Sequence, residues 1–167
     1  ILFTLMAFLW LPFPSVLQSR VLTFFISCIR QAISTPVREF NAQRLCKVGL
    51  LDSLLMLLDG SDSDVTVGEA IELIKLLIAS PRTVAVDHKA SREYLLHQLR
   101  SYLISTLPAS TSDDHTVGRS QTIRNLLLIM ISNAIGEQSA AAQTADAAQF
   151  VNEAKRAFNP KWMLSFI

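Results

Sequence analysis

Apolar residues run along this chain in blocks, broken by proline, glycine and short polar stretches. The opening ILFTLMAFLW predicts a helix apolar on every side, ended by Pro12 and Pro14, because proline lacks an amide proton and clashes with the preceding turn. Ser15 can cap a second helix over about 16–33, rich in Val21, Leu22, Phe24, Phe25, Ile26 and Ile29. Pro36 stops it and opens a short helix over 36–47, as proline favours a first helical turn. Gly49 stands at a helix end, and LLDSLLMLL predicts a helix over 50–58. The turn from Asp59 to Asp64 is rich in capping residues, with Asp64 read as the N-cap of a helix over 65–79. Further helices follow over 91–107, stopped by Pro108, over 117–135, stopped by Gly136, and over 146–158. A last apolar piece runs from Trp162 to Ile167, and no segment shows the two-residue alternation of a strand. The expected fold class is all-α.

The faces of these helices differ. In 91–107, Leu95, Leu96, Leu99, Tyr102, Leu103 and Leu107 form one stripe, with Arg92, Glu93 and Arg100 off it. Helix 65–79 has only a narrow polar stripe, Glu69, Glu72 and Lys75, and LLLIMI within 117–135 is apolar all round. Alternating half-buried and nearly buried helices suit a layered stack. Helices 50–58 and 65–79 should pair antiparallel, as should 91–107 and 117–135, with Leu54, Leu57, Ile74, Leu77, Leu127 and Met130 in the core.

An internal repeat points the same way. Ser61 to Gly68 reads SDSDVTVG, and Thr111 to Gly118, 50 positions later, reads TSDDHTVG. Each follows a leucine-rich helix and precedes an apolar one. A period of about 40–50 residues with helix–turn–helix content is the pattern of a HEAT or armadillo-type solenoid.

Residues 41–80 resemble an armadillo repeat. Asn41, Gln43, Gly49, Leu54, Leu57, Leu58, Asp64, Ala70 and Ser80 fall in the family's order, with a turn about two residues longer than usual. A second, more degenerate unit lacks the clear short first helix and its glycine. The resemblance implies a right-handed α-solenoid fragment forming one domain over 1–167. Its parts are N-terminal helices over 1–35, one repeat over 36–80, a second over 91–136, and C-terminal helices over 146–167. It implies a non-enzymatic scaffold whose partners are proteins or flanking repeats of a larger chain, in an intracellular, cytoplasmic setting. Armadillo domains that bind basic peptides use a Trp and an Asn one turn apart on the third helix. Here Asn133 matches the Asn, but Ile129 holds the Trp position, and the first unit has Leu73 and Leu77 there. The leucine-rich texture ending in NPKWMLSFI is similar to helical regions of large BEACH-domain trafficking scaffolds, although no BEACH motif lies in the chain. That likeness implies a role in membrane trafficking.

Composition narrows the classes further. Of the 167 residues, half are hydrophobic and 17% are charged, with a net charge of +1; soluble domains average about 25% charged. Disorder and a tail-like polyelectrolyte are excluded, and 5 Gly with 6 Pro are too few for a sandwich of many turns. Cys28 and Cys46 lie in helical runs without metal-site spacing, and both read as buried thiols. His88, His97 and His115 lack partners at zinc spacing, His97 reading as a boundary residue. Capping accounts for Asp64 and Asp114, and nothing supports a triad of Cys46, His97 and an aspartate. No catalytic residue, cofactor or metal is expected. The basic groups Arg38, Arg44, Lys47 and Lys155, Arg156, Lys161 read as solvated faces, and nucleic acid is not an expected partner.

The candidate interaction residues lie mainly at the two ends: Phe3, Phe8 and Trp10, then Trp162 and Phe166, with Asn133 between them. The first charge is Arg20, so an alternative is a helical membrane-associated protein anchored through 1–33. The paired prolines and the absence of a basic start argue against a span or a signal peptide. The chain reads as a piece of a longer one, with both apolar ends covered by neighbours. Oligomeric state stays open.

Overall fold

The computed structural model describes residues 1–10, 12–80, 88–106, 114–140 and 144–159, with side chains from 118 onward in the fourth segment. These residues form eight α-helices and no strand. The helices are α1 (Leu2–Trp10), α2 (Ser15–Arg30), α3 (Thr35–Lys47), α4 (Leu50–Gly60), α5 (Asp64–Ala79), α6 (Arg92–Ser105), α7 (Asp114–Ala140) and α8 (Ala145–Ala157). A single 3-10 turn, His88–Ala90, precedes α6. The protein is all-α.

The helix boundaries follow local chemistry. Gly49 takes a left-handed φ of 83° and lets the chain turn from α3 into α4, its amide donating to Cys46 O at 2.9 Å. A side chain at that φ would be strained. Three expected caps are corrected. Asp114 is already the first residue of α7. Ser15 is the first residue of α2 rather than its cap, and Pro14 occupies the cap position. Ser63, not Asp64, caps α5: its hydroxyl accepts from the Thr66 amide at 3.3 Å, which leaves Asp64 as the first helical residue. The expected stop at Gly136 also fails, for α7 continues to Ala140. Glycine inside a helix costs only about 1 kcal/mol against alanine, too little to end α7 by itself.

Contacts gather the residues into two compact units, the first holding α1–α5 and the 3-10 turn, the second α6–α8. In the first, α2 lies along α5, α1 lies on α4, and α4 packs on α5 as expected. The short α3 touches α2, α4 and α5. Thr23 Oγ1 donates to Glu69 Oε1 at 2.9 Å and Arg30 donates to Glu72, so α2 and α5 run in the same direction. Asn41 Nδ2 donates to Cys28 O at 2.8 Å and holds α3 on α2. The core between these layers contains Leu22, Phe25, Ile29, Leu50, Leu54, Leu58, Leu73, Ile74, Leu77 and Ile78. Each of these buried aliphatic or aromatic groups contributes about 1.5–3 kcal/mol by leaving water.

In the second unit α8 is the main partner of both α6 and α7. The expected direct pairing of 91–107 with 117–135 is, among the described residues, less extensive than the packing of either helix on α8. Its buried small residues Ala147 and Ala154 allow close approach, and Arg92 reaches across from α6. Arg124 Nη1 also donates to Thr106 O at 3.2 Å, tying α7 to the end of α6. Leu127 and Met130 are buried here, as are Leu54, Leu57, Ile74 and Leu77 in the first unit, all as expected.

Arg92 corrects the amphipathic reading of α6. Expected off the apolar stripe, its side chain is only 2% exposed. Its Nη2 donates to both carboxylate oxygens of Asp146 at 3.0 Å, and its guanidinium lies 5.2 Å from the Phe150 ring centroid. An arginine can be buried when its fork meets a carboxylate and its plane meets an aromatic ring. The all-round apolar LLLIMI is not enclosed on every side either: Leu126 and Ile129 are exposed.

Candidate interaction surface

The flank of α1 that faces away from the core carries Phe3, Ala7 and Trp10 at helical spacing. Met6, beside this stripe, and Leu9, further round the helix, are buried in the first unit. Phe3 is 74% and Trp10 56% exposed, and both line one open groove with Met6, Ala7 and Val48. Trp10 is oriented from below, since its indole N–H donates to the buried Ser53 hydroxyl at the start of α4. Phe8 turns elsewhere and packs against Phe13 in a tilted pair, with ring centroids 4.8 Å apart and planes at 53°.

A neighbouring groove of about 520 Å³ continues from Phe3 and Val48 to α3, where Phe40, Gln43, Arg44 and Lys47 line it. Phe40 is 58% exposed, and the Arg44 guanidinium stands 5.5 Å from its ring centroid. The α3 sequence carries Arg38, Arg44 and Lys47 against the single acid Glu39. Glu39 is buried and accepts from Gln43 Nε2 at 3.0 Å. The outer surface of α3 is thus aromatic and cationic.

A second exposed apolar surface lies on α2, where Val16, Leu17 and Phe24 face solvent beside Arg20. In the second unit Asn133 is exposed on α7, one turn beyond the exposed Ile129. The corresponding Leu73 and Leu77 of α5 are buried. Of the six candidate residues, Phe3 and Trp10 are brought together, Phe8 joins a separate aromatic pair, and Asn133 belongs to the other unit. Trp162 and Phe166 lie outside the described residues.

Phe40 and Phe24 were not picked out by sequence pattern as surface residues. The signal for Phe40 was present in the basic group around it, because an aromatic among cations on a short helix has a reason to stay at the surface. Phe24 beside Phe25 carried no such mark.

Titratable chemistry in the structure is sparse. Cys46 is buried as expected, but Cys28 is only half-buried; that partial burial still pushes its thiol above the ordinary pKa. Among the described residues no group of three His, Cys, Asp or Glu is placed to hold a metal ion. His97 is exposed and lines a shallow cleft with Glu93, Arg100, Glu153 and Arg156. Among the same residues no helix is long and apolar enough to cross a membrane. What the surface offers is aromatic and aliphatic area edged with positive charge. Comparison with family models, curated proteins and solved structures finds no match.

Proposed function

We propose that this chain is a non-enzymatic protein-interaction segment of an armadillo-like helical stack, working within a larger intracellular scaffold. The observation that supports it best is the order of packing in the first unit. The pair α1–α2 lies on the pair α4–α5 with first helix on first and second on second, and α2 runs with α5. A short helix, α3, links the pairs. That is the register of consecutive units in a helical-repeat stack, where each unit contacts only its neighbours. The outer face of α2 is the next surface in such a stack. Its exposed Val16, Leu17 and Phe24 are what a preceding pair of helices would cover. The likeness to trafficking scaffolds extends this reading toward membrane traffic.

The test is a double substitution on that face, Leu17→Lys with Phe24→Lys, compared with the unaltered chain by light scattering and by binding of an apolar dye. The unaltered chain should self-associate and bind the dye, and the double variant should stay monomeric and bind clearly less dye while keeping its helical circular dichroism. If both behave as dye-silent monomers, the α2 face is not an uncovered stacking surface.

A further inference from the structure

The two grooves beside α1 share Phe3 and Val48 and so form one continuous channel between the flanks of α1 and α3. We propose that this channel binds an acidic amphipathic helix of a partner protein. The proposal does not depend on the repeat reading, which concerns the outer face of α2.

Three observations carry it. First, the walls are helical on both sides. Phe3, Ala7 and Trp10 stand at i, i+4 and i+7 of α1, and Phe40, Arg44 and Lys47 at i, i+4 and i+7 of α3. A third helix, whose own side chains recur at the same interval, matches two such stripes at once. No strand edge borders the channel among the described residues, so an extended peptide would find no backbone ladder to join. Second, the floor and walls are apolar and aromatic: Phe3, Trp10 and Phe40 are each more than half exposed. Exposed Trp and Arg residues are the types that dominate binding energy when a partner desolvates them. Trp10 is also held in place through Ser53, so less side-chain freedom is lost when a ligand lands on it. Third, among the described residues the charged groups that line the channel are both cations. Arg44 and Lys47 line the α3 side and are exposed, while the acid of this helix, Glu39, is buried. A partner carrying carboxylates beside its apolar stripe would complete that field, and a basic one would be repelled. The concave shape, with aromatic groups set along a channel, favours a helix over a flat lipid surface.

The probes are two labelled synthetic helical peptides with the same leucine and phenylalanine stripe. One carries glutamates on its flanks and the other lysines at the same positions. Fluorescence anisotropy should show the glutamate peptide binding the chain at least tenfold more tightly. Arg44→Glu with Lys47→Glu should abolish or invert that preference, and Phe40→Asp or Phe3→Asp should abolish binding of both. All these positions are at the surface, and unchanged circular dichroism checks that the variants fold. Equal binding of the two peptides, no binding of either, or indifference to the substitutions overturns the proposal. So does binding to phosphatidylserine vesicles that Phe40→Asp removes, which assigns the surface to a membrane. Self-association removed by Phe40→Asp assigns it to a second copy and equally overturns the acidic-helix reading.

Discussion

Replacing Asp146 by alanine should destabilise the second unit more than replacing Arg92 by methionine. Arg92 sits between α6 and α8 with its side chain 2% exposed, whereas the Asp146 side chain is 26% exposed. Asp146→Ala removes the two-pronged carboxylate from a buried guanidinium, whose Nη1 keeps the residue-146 backbone carbonyl at 3.5 Å. Its remaining carboxylate, Glu153 Oε2, is 3.7 Å from Nη1, farther than a charge-assisted hydrogen bond. Removing one partner of a buried pair costs about 3–5 kcal/mol. The partial exposure of Asp146 lets water reach the site and brings the expected loss to about 2–4 kcal/mol. Asp146 also lies in the first turn of α8, where a negative charge adds about 0.3–1 kcal/mol against the helix dipole. Methionine at position 92 keeps most of the volume and its packing on Phe150. It removes the buried cation, and the half-open Asp146 can turn to water. Arg92→Met leaves the Asp146 and Glu153 carboxylates without their cation, but both are about a quarter exposed and within reach of water, so it should cost about 1–3 kcal/mol. Urea unfolding followed by far-ultraviolet circular dichroism gives the two free energies. Hydrogen exchange of α6 and α8 peptides shows whether the loss is local. If Arg92→Met proves the more damaging change, or if both are silent, the pair does not join the helices in the way described.

Ser63→Ala should cost about 0.5–2 kcal/mol by removing the α5 cap, and Asp64→Ala less, in the same urea assay. Gly49→Ala should cost about 1–2 kcal/mol because alanine disfavours a φ of 83°, a penalty that thermal unfolding would register. Leu54→Ala and Leu77→Ala should each cost about 2–5 kcal/mol, since both side chains are fully buried; near-zero effects at both would contradict the core. Cys28, its pKa raised by burial, should react with a thiol reagent only at more alkaline pH than free cysteine. Because the folded state favours the protonated thiol, any stability it contributes is present at neutral pH and is lost as pH rises past the ordinary thiol value.

The helices were legible because their signals are local. Pro12, Pro14, Pro36 and Gly49 interrupt the backbone wherever they stand, and the leucine spacing of α4 and α6 marks a buried face whatever covers it. The caps were less legible, for Ser63 and Asp64 are adjacent and both suit the position; only the chain direction at the turn decides between them. Gly136 looked like a stop, but glycine costs a helix only about 1 kcal/mol against alanine, and α7 continues through it to Ala140. The burial of Arg92 could not be read from α6 alone. It depends on Asp146 and Phe150, 54 and 58 positions away, arriving at the same place. The channel beside α1 was half legible. Phe3 and Trp10 stood out as unneeded apolar area, whereas Phe40 joined them only through the path of α3.

The central claim is that the apolar outer face of the α1–α2 pair is a contact surface and not a sealed edge. Light scattering of the unaltered 167-residue chain over a wide concentration range tests it most directly. The account predicts a mass that climbs above 18.5 kDa with concentration, as uncovered faces find one another. A constant monomer mass up to the highest concentration, without detergent or partner, would contradict it.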